Sequence, residues 1–174
     1  MNRARWLYRI QQVVRHLLDR PSADDDALAA ALLPPPLMAL FRGMSPGDQA
    51  HAARVCRALM RQGYDDPILL QAALLHDVGK AGGVPIVYRV LYVLLKRFAP
   101  RLLETLAERT APIARWRQPL VRLAHHPAIG AEMAAHAGAH ADVVALIRAH
   151  QDGRECPPHL HEHLAALQAV DDAN

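Results

Sequence analysis

Cysteine is scarce: Cys56 and Cys156 stand a hundred positions apart and form no CxxC pair. That spacing argues against a disulfide framework and leaves two independent thiols, buried or free. Aromatic residues make up only 5% of the chain, β-branched runs are short, and no internal repeat or low-complexity segment occurs beyond the abundance of alanine. The residues a sheet favours are thus missing, whereas Ala and Leu favour packed helices. Long hydrophobic runs are missing too, since no window approaches the roughly 18 apolar residues that a transmembrane helix needs. Arg3, Arg5 and Arg9 are not followed by a continuous apolar stretch, so no secretory signal is expected and a cytoplasmic protein is. A formal charge of +3 is too small for a dedicated nucleic-acid binder, and no specific nucleic-acid binding is expected. It suits a phosphate-bearing small molecule equally well.

What is present suffices for a core. With 52% apolar and 21% charged residues among 174, the chain is expected to fold without external staples. The expected class is all-α. Residues 3–19 have helical spacing, with Trp6, Ile10, Val13, Val14 and Leu17 on one side and arginines on the other. "PSADDD" breaks that pattern, and a second helix over 24–33 stops at Pro34 to Pro36. Residues 1–44 therefore read as a helical arm packing on a main domain, 45–174.

"MSPGDQAH" is a sharp helix start, with Ser45 as N-cap, Pro46 in the first helical position and Asp48 placed to close a capping box. Gly63 ends that helix. Asp66 and Pro67 open the next by the same logic, and it leads through "ILLQAALL" into "LLHDVGK" before Gly79, Gly82 and Gly83 terminate it. Within the insert 84–117, "VPIVYRVLYVLLKRFAP" is strongly apolar yet holds Arg89, Lys96 and Arg97. A core-packing helix is the first expectation there; a lid or a peripheral membrane contact through 86–98 is the second. Further helices are expected over 118–125, 127–137, 140–150 and 158–172.

The eleven histidines carry the chemical interest. His76 and Asp77 are adjacent, about 100° apart on a helix, and near a helix end both can converge on one point. Imidazole and carboxylate together suit a divalent first-row metal. Lys80 shares a face with His76 if the helix continues that far, and there it could hold a phosphate oxygen. A lone His-Asp pair is more often a helix end that welcomes His and Lys through its dipole. His51 shifts that balance, because it aligns with Val55 and with Ala58 or Leu59 on the expected buried face of the preceding helix. Asp171 lies among Leu164, Leu167 and Val170 in the last helix, where an acid needs a partner. His125 beside His126 reads as a solvent-facing neighbour, His16 as a surface residue, and His136 with His140 as an unlinked pair. His159 and His163 read as a solvated face.

The order His51, His76-Asp77, Asp171, with "DQAHAARV" ahead of "LLQAALLHDVGK", resembles the HD-domain superfamily of metal-dependent phosphohydrolases. "HDVGK" is close to the HDIGK form of that family, and the resemblance spans roughly 45–173. It implies a helical bundle in which His51, His76, Asp77 and Asp171 hold one metal and Lys80 supports the phosphate or the attacking water. "AHHPAIGAEM" and "VVALIRAHQDG" resemble the segments that carry further histidines in HDIG-type and HD-GYP members. By that likeness His126 and His150 hold a second metal, with Asp77 bridging. The GYP signature is absent, since Gln151, Asp152, Gly153 and Arg154 follow His150.

The resemblance implies one or two divalent metal ions (Mn, Fe, Co, Ni, Zn or Mg). It further implies metal-activated water, Asp77 and Lys80 as catalytic residues, and a nucleotide or other phosphoester as substrate. An arginine of the insert is expected to assist Lys80. The alternative is a non-catalytic regulatory domain of the same fold, binding a nucleotide or a protein partner. Oligomeric state stays open.

Overall fold

Proline opens five of the nine α-helices found among the described residues, at Pro35, Pro46, Pro67, Pro100 and Pro119. Its fixed φ suits the first turn and its missing N–H is not needed there. The computed structural model describes residues 19–109 and 112–174. Its helices run in the order α1 (Ala23–Leu32), α2 (Pro35–Arg42), α3 (Pro46–Arg61), α4 (Pro67–Leu75), α5 (Ile86–Phe98), α6 (Pro100–Ala107), α7 (Gln118–His136), α8 (Ala141–Ala149) and α9 (His161–Ala173). No strand occurs among the described residues. The helix expected over residues 3–19 lies almost wholly outside them. No described helix is long and apolar enough to cross a membrane.

Caps fix where the helices begin. The Ser22 hydroxyl accepts from the Asp25 amide while the Asp25 carboxylate accepts from the Ser22 amide, a reciprocal capping box. Ser45 accepts from the Asp48 amide, and Asp66 accepts from the Ile68 amide at 2.7 Å. Helix α2 forms directly after the proline run, where no helix was expected; Pro35 and Pro36 start it. Its Leu37 and Phe41, with Ala29 of α1, join the core formed by Val55 and Leu59 of α3, Leu69 and Leu74 of α4, Leu146 and Ile147 of α8 and Leu167 of α9. Helices α5 and α6 contribute nothing to that cluster.

Three expectations need correction. The segments 118–125 and 127–137 form one helix, α7, which runs through Pro127 without stopping. The helix bearing His76 ends at Leu75, and a 3₁₀ turn, Val78–Lys80, follows. Lys80 therefore pairs with Asp77, three residues back, instead of sharing a helix face with His76. The apolar helix of the insert is not packed into a core: α5 has no buried residue, and its large apolar side chains face solvent.

The 3₁₀ turn and α7 meet backbone to backbone. A Cβ at Gly79 would lie 2.0 Å from the His126 carbonyl oxygen and 2.8 Å from the Gly130 amide nitrogen. Only a residue without a side chain fits, and this contact sets Asp77 beside His126. Arg122 reinforces the turn by donating to the Gly79 and Ala81 carbonyls. Replacement Gly79→Ala is expected to lower the unfolding free energy by about 3 kcal/mol or more, because the obstructing atoms are main chain and cannot rotate away. Urea titration measures it, and a loss below about 1 kcal/mol would contradict the close-approach account.

Candidate metal centre

Three of the expected ligands share one local device. His76 follows the last residue of α4, and its Nδ1 lies 2.8 Å from the Ala73 carbonyl oxygen. His150 follows the last residue of α8, with Nδ1 2.7 Å from the Ile147 oxygen. Both carbonyls belong to the final helical turn, where no amide is left to satisfy them. His126 lies within α7, yet its Nδ1 lies 2.8 Å from the Leu123 oxygen. The cause is the next residue: Pro127 lacks the N–H that would otherwise bond Leu123, four residues back. A carbonyl only accepts, so Nδ1 carries the hydrogen in all three rings. In the neutral imidazole that leaves Nε2 with a bare lone pair, and orients it.

The Nε2 atoms converge. Those of His126 and His150 lie 3.2 Å apart, and Asp77 Oδ1 is 3.3 Å and 3.9 Å from them. On the other side, His76 Nε2 is 3.6 Å from Asp77 Oδ2 and 3.5 Å from Asp171 Oδ1, which in turn is 2.8 Å from His51 Nε2. Two atoms bound to one ion at about 2.1 Å lie about 3.0–3.4 Å from each other. Two groups of candidate ligands result, His51–His76–Asp77 and Asp77–His126–His150, with Asp77 common to both. Asp171 borders the first. The donor set fits a divalent metal on a direct observation: His76 Nε2 is fully buried and has no hydrogen-bond partner. Two neutral imidazoles that point lone pairs at each other likewise call for a cation between them.

Electrostatics divide the rings. Burial works against charge on His76, but the carboxylates of Asp77 and Asp171 outweigh it and raise its pKa to about 9. Burial dominates at His51 and His126, lowering both, and it lowers His150 to about 3 with the help of its imidazole neighbours. Asp77 is fully enclosed, which by itself disfavours charge; Lys80, with Nζ 2.6 Å away, and His76 hold its carboxyl well below the usual range. Asp171 is held low in the same way, against its burial, by His76 and His51.

Every residue expected to ligate metal therefore lies in one cluster, and Lys80 stands at its edge on Asp77. Of the histidines set aside, His16 lies outside the described residues and the others are engaged elsewhere. His125 is half-buried, not solvent-facing, and bonds the Ala107 carbonyl at the end of α6. His136 bonds the Glu132 carbonyl, His140 caps α8, His159 pairs with Asp142, and His163 approaches Asp66. A cavity of about 270 Å³ opens beside the cluster, walled by Lys80, Arg89, Tyr92, Val93, Leu123 and Gln151. Arg89 is the arginine of the insert that lines this cavity. Both its terminal nitrogens donate to Asp48, at 2.8 Å and 2.7 Å, and Asp48 is fully buried. The capping position of Asp48 had concealed this second role, and Tyr92 and Gln151 left no signal in the sequence.

Compared with known proteins, the chain matches no family model, no curated protein and no solved structure. Fold and geometry define it as an all-α protein with a buried His/Asp cluster able to hold metal.

Unfolding releases the rings to an ordinary pKa of about 6.5. Below that value the unfolded chain gains protons that folded His51, His126 and His150 refuse, so stability falls as pH falls. Above it the folded state still holds the His76 proton that the unfolded chain has lost, so stability falls as pH rises through about 9. The urea midpoint of the protein in EDTA is expected to peak at about pH 7, roughly half a unit above the free-imidazole pKa because three lowered rings oppose one raised ring, with the steeper fall on the acid side. A midpoint that climbs steadily with pH across that range would refute this assignment.

Proposed function

We propose that the protein is a metal-dependent phosphohydrolase of HD type, acting on a nucleotide or other phosphoester. The observation that carries the reading is Asp77, whose two carboxylate oxygens face two separate groups of imidazoles. His51, His76, Asp77 and Asp171 would hold one metal and Asp77, His126 and His150 a second. Bound there, divalent metal supplies Lewis acidity toward phosphate and water. Mixed nitrogen and oxygen ligands suit Mn, Fe, Co, Ni or Zn, and Mg less well.

The remaining work falls to the chain's own residues. Lys80 and Arg89 bring two cations to the same cavity, placed to receive phosphoryl oxygens as charge builds on them. Asp48 uses two of the five guanidinium donors of Arg89 and so fixes its plane, leaving the others for a ligand. Tyr92 is kept protonated by burial, which raises its phenol above the ordinary value, so it acts as a donor. Val93 and Leu123 give the cavity an apolar wall. The reading includes a cytoplasmic site of action, in keeping with free Cys56 and Cys156.

Hydrolysis of a generic phosphodiester and of a nucleotide panel, with Mn²⁺, Ni²⁺ or Mg²⁺ added, tests the reading. Asp77→Ala is expected to remove metal and cut activity at least about 10³-fold. Unchanged turnover in that variant would rule the assignment out. For Arg89→Ala, kcat/KM is expected to fall by about 10²-fold while metal content stays that of the wild type. Loss of metal together with activity would instead make Arg89 part of the metal-holding framework.

A further inference from the structure

Helix α5 is amphipathic with its apolar side outward. Ile86, Val87, Val90, Leu91, Leu94 and Phe98 are 37–69% exposed. At 100° per residue they project within an arc of about 140°. Arg89 and Tyr92 project from the other side of the helix, and with Val93 at the edge of the stripe they wall the cavity beside the His/Asp cluster. An ordinary surface helix has the reverse arrangement, and six large apolar side chains in one exposed stripe mark a surface that something covers.

Charge identifies the occupant. Arg97 at the end of α5 projects within the arc of the stripe, and it and Arg101 just beyond the helix are exposed, with no carboxylate pairing with them among the described residues; Lys96 projects from the other side, its Nζ 6.0 Å from the centre of the Tyr92 ring. The Arg97 guanidinium lies 5.6 Å from the ring of Phe98, the most exposed large apolar side chain among the described residues, so cation and apolar anchor share one tip. Between Val78 and Arg101 the sequence contains no Asp or Glu. A second copy of this face would therefore bury its cations without bringing a counter-charge. An anionic lipid surface offers both complements, acyl chains for the stripe and head-group charge for Arg97 and Arg101.

We infer that α5 is a docking helix that seats the protein on an anionic lipid bilayer, with the cavity on the opposite side of the helix from the lipid. The inference does not depend on the hydrolase reading, since it uses none of the metal-site residues.

Co-sedimentation of the full chain with phosphatidylcholine vesicles, with and without phosphatidylglycerol, tests it. Binding is expected only with the anionic lipid, and it weakens as salt is added. Two surface variants, Val87→Glu/Leu94→Glu and Arg97→Glu/Arg101→Glu, are each expected to weaken binding roughly tenfold or more with helix content unchanged. No sedimentation of the folded wild type with anionic vesicles would overturn the inference. So would binding that neither variant weakens. A concentration-dependent dimer of the wild type that Val87→Glu/Leu94→Glu abolishes would also overturn it, by showing that a second copy covers the stripe.

Discussion

A carboxylate enclosed by protein is among the most expensive groups a fold can contain, and Asp77, only 3% exposed, is one that this fold surrounds at the meeting point of its helix ends. Its burial demands cations or strong donors on every side. Lys80 supplies one through the 3₁₀ turn, and imidazoles reach it from the ends or bends of three helices. The packing serves the same end, because Gly79 lets the turn close on α7 until the backbones touch, and that contact sets the distance from Asp77 to His126. The apolar core beneath, from Leu59 and Leu74 to Ile147 and Leu167, keeps the helix ends from spreading.

Helix ends are the recurring element. His76 and His150 each take up a carbonyl that the helix leaves unbonded, so a loose end becomes a fixed imidazole. This explains why these two ligands directly follow short apolar helices that stop abruptly. The same turn that would fray in water instead points a lone pair inward.

Much of this was legible in the sequence, and for physical reasons. Caps such as Ser45 and Asp66 act within four residues, so local pattern finds them. His51 was visible because a polar residue on an otherwise buried helix face needs a partner. The exceptions all involve distance or competition. Asp48 looked fully explained by its cap, and its bond to Arg89 spans 41 residues, which no local pattern encodes. Helix α5 was misjudged because hydrophobic periodicity identifies the apolar side of a helix and not which way that side turns; Arg89 and Tyr92 decide it by facing the cavity. Pro127 was taken as a boundary between two helices, and the flanking packing of Leu123, Ala131 and Ala134 overrides it.

Pro127 also reveals a conflict between folding and chemistry. Most residues at that position would restore an amide, complete the hydrogen-bond ladder of α7 and strengthen the helix. The restored amide would claim the Leu123 carbonyl and compete with His126 for it, setting that ring free to turn or to change tautomer. The weakest link of the longest helix is thus what disciplines a ligand, and a chain selected for stability alone would discard it.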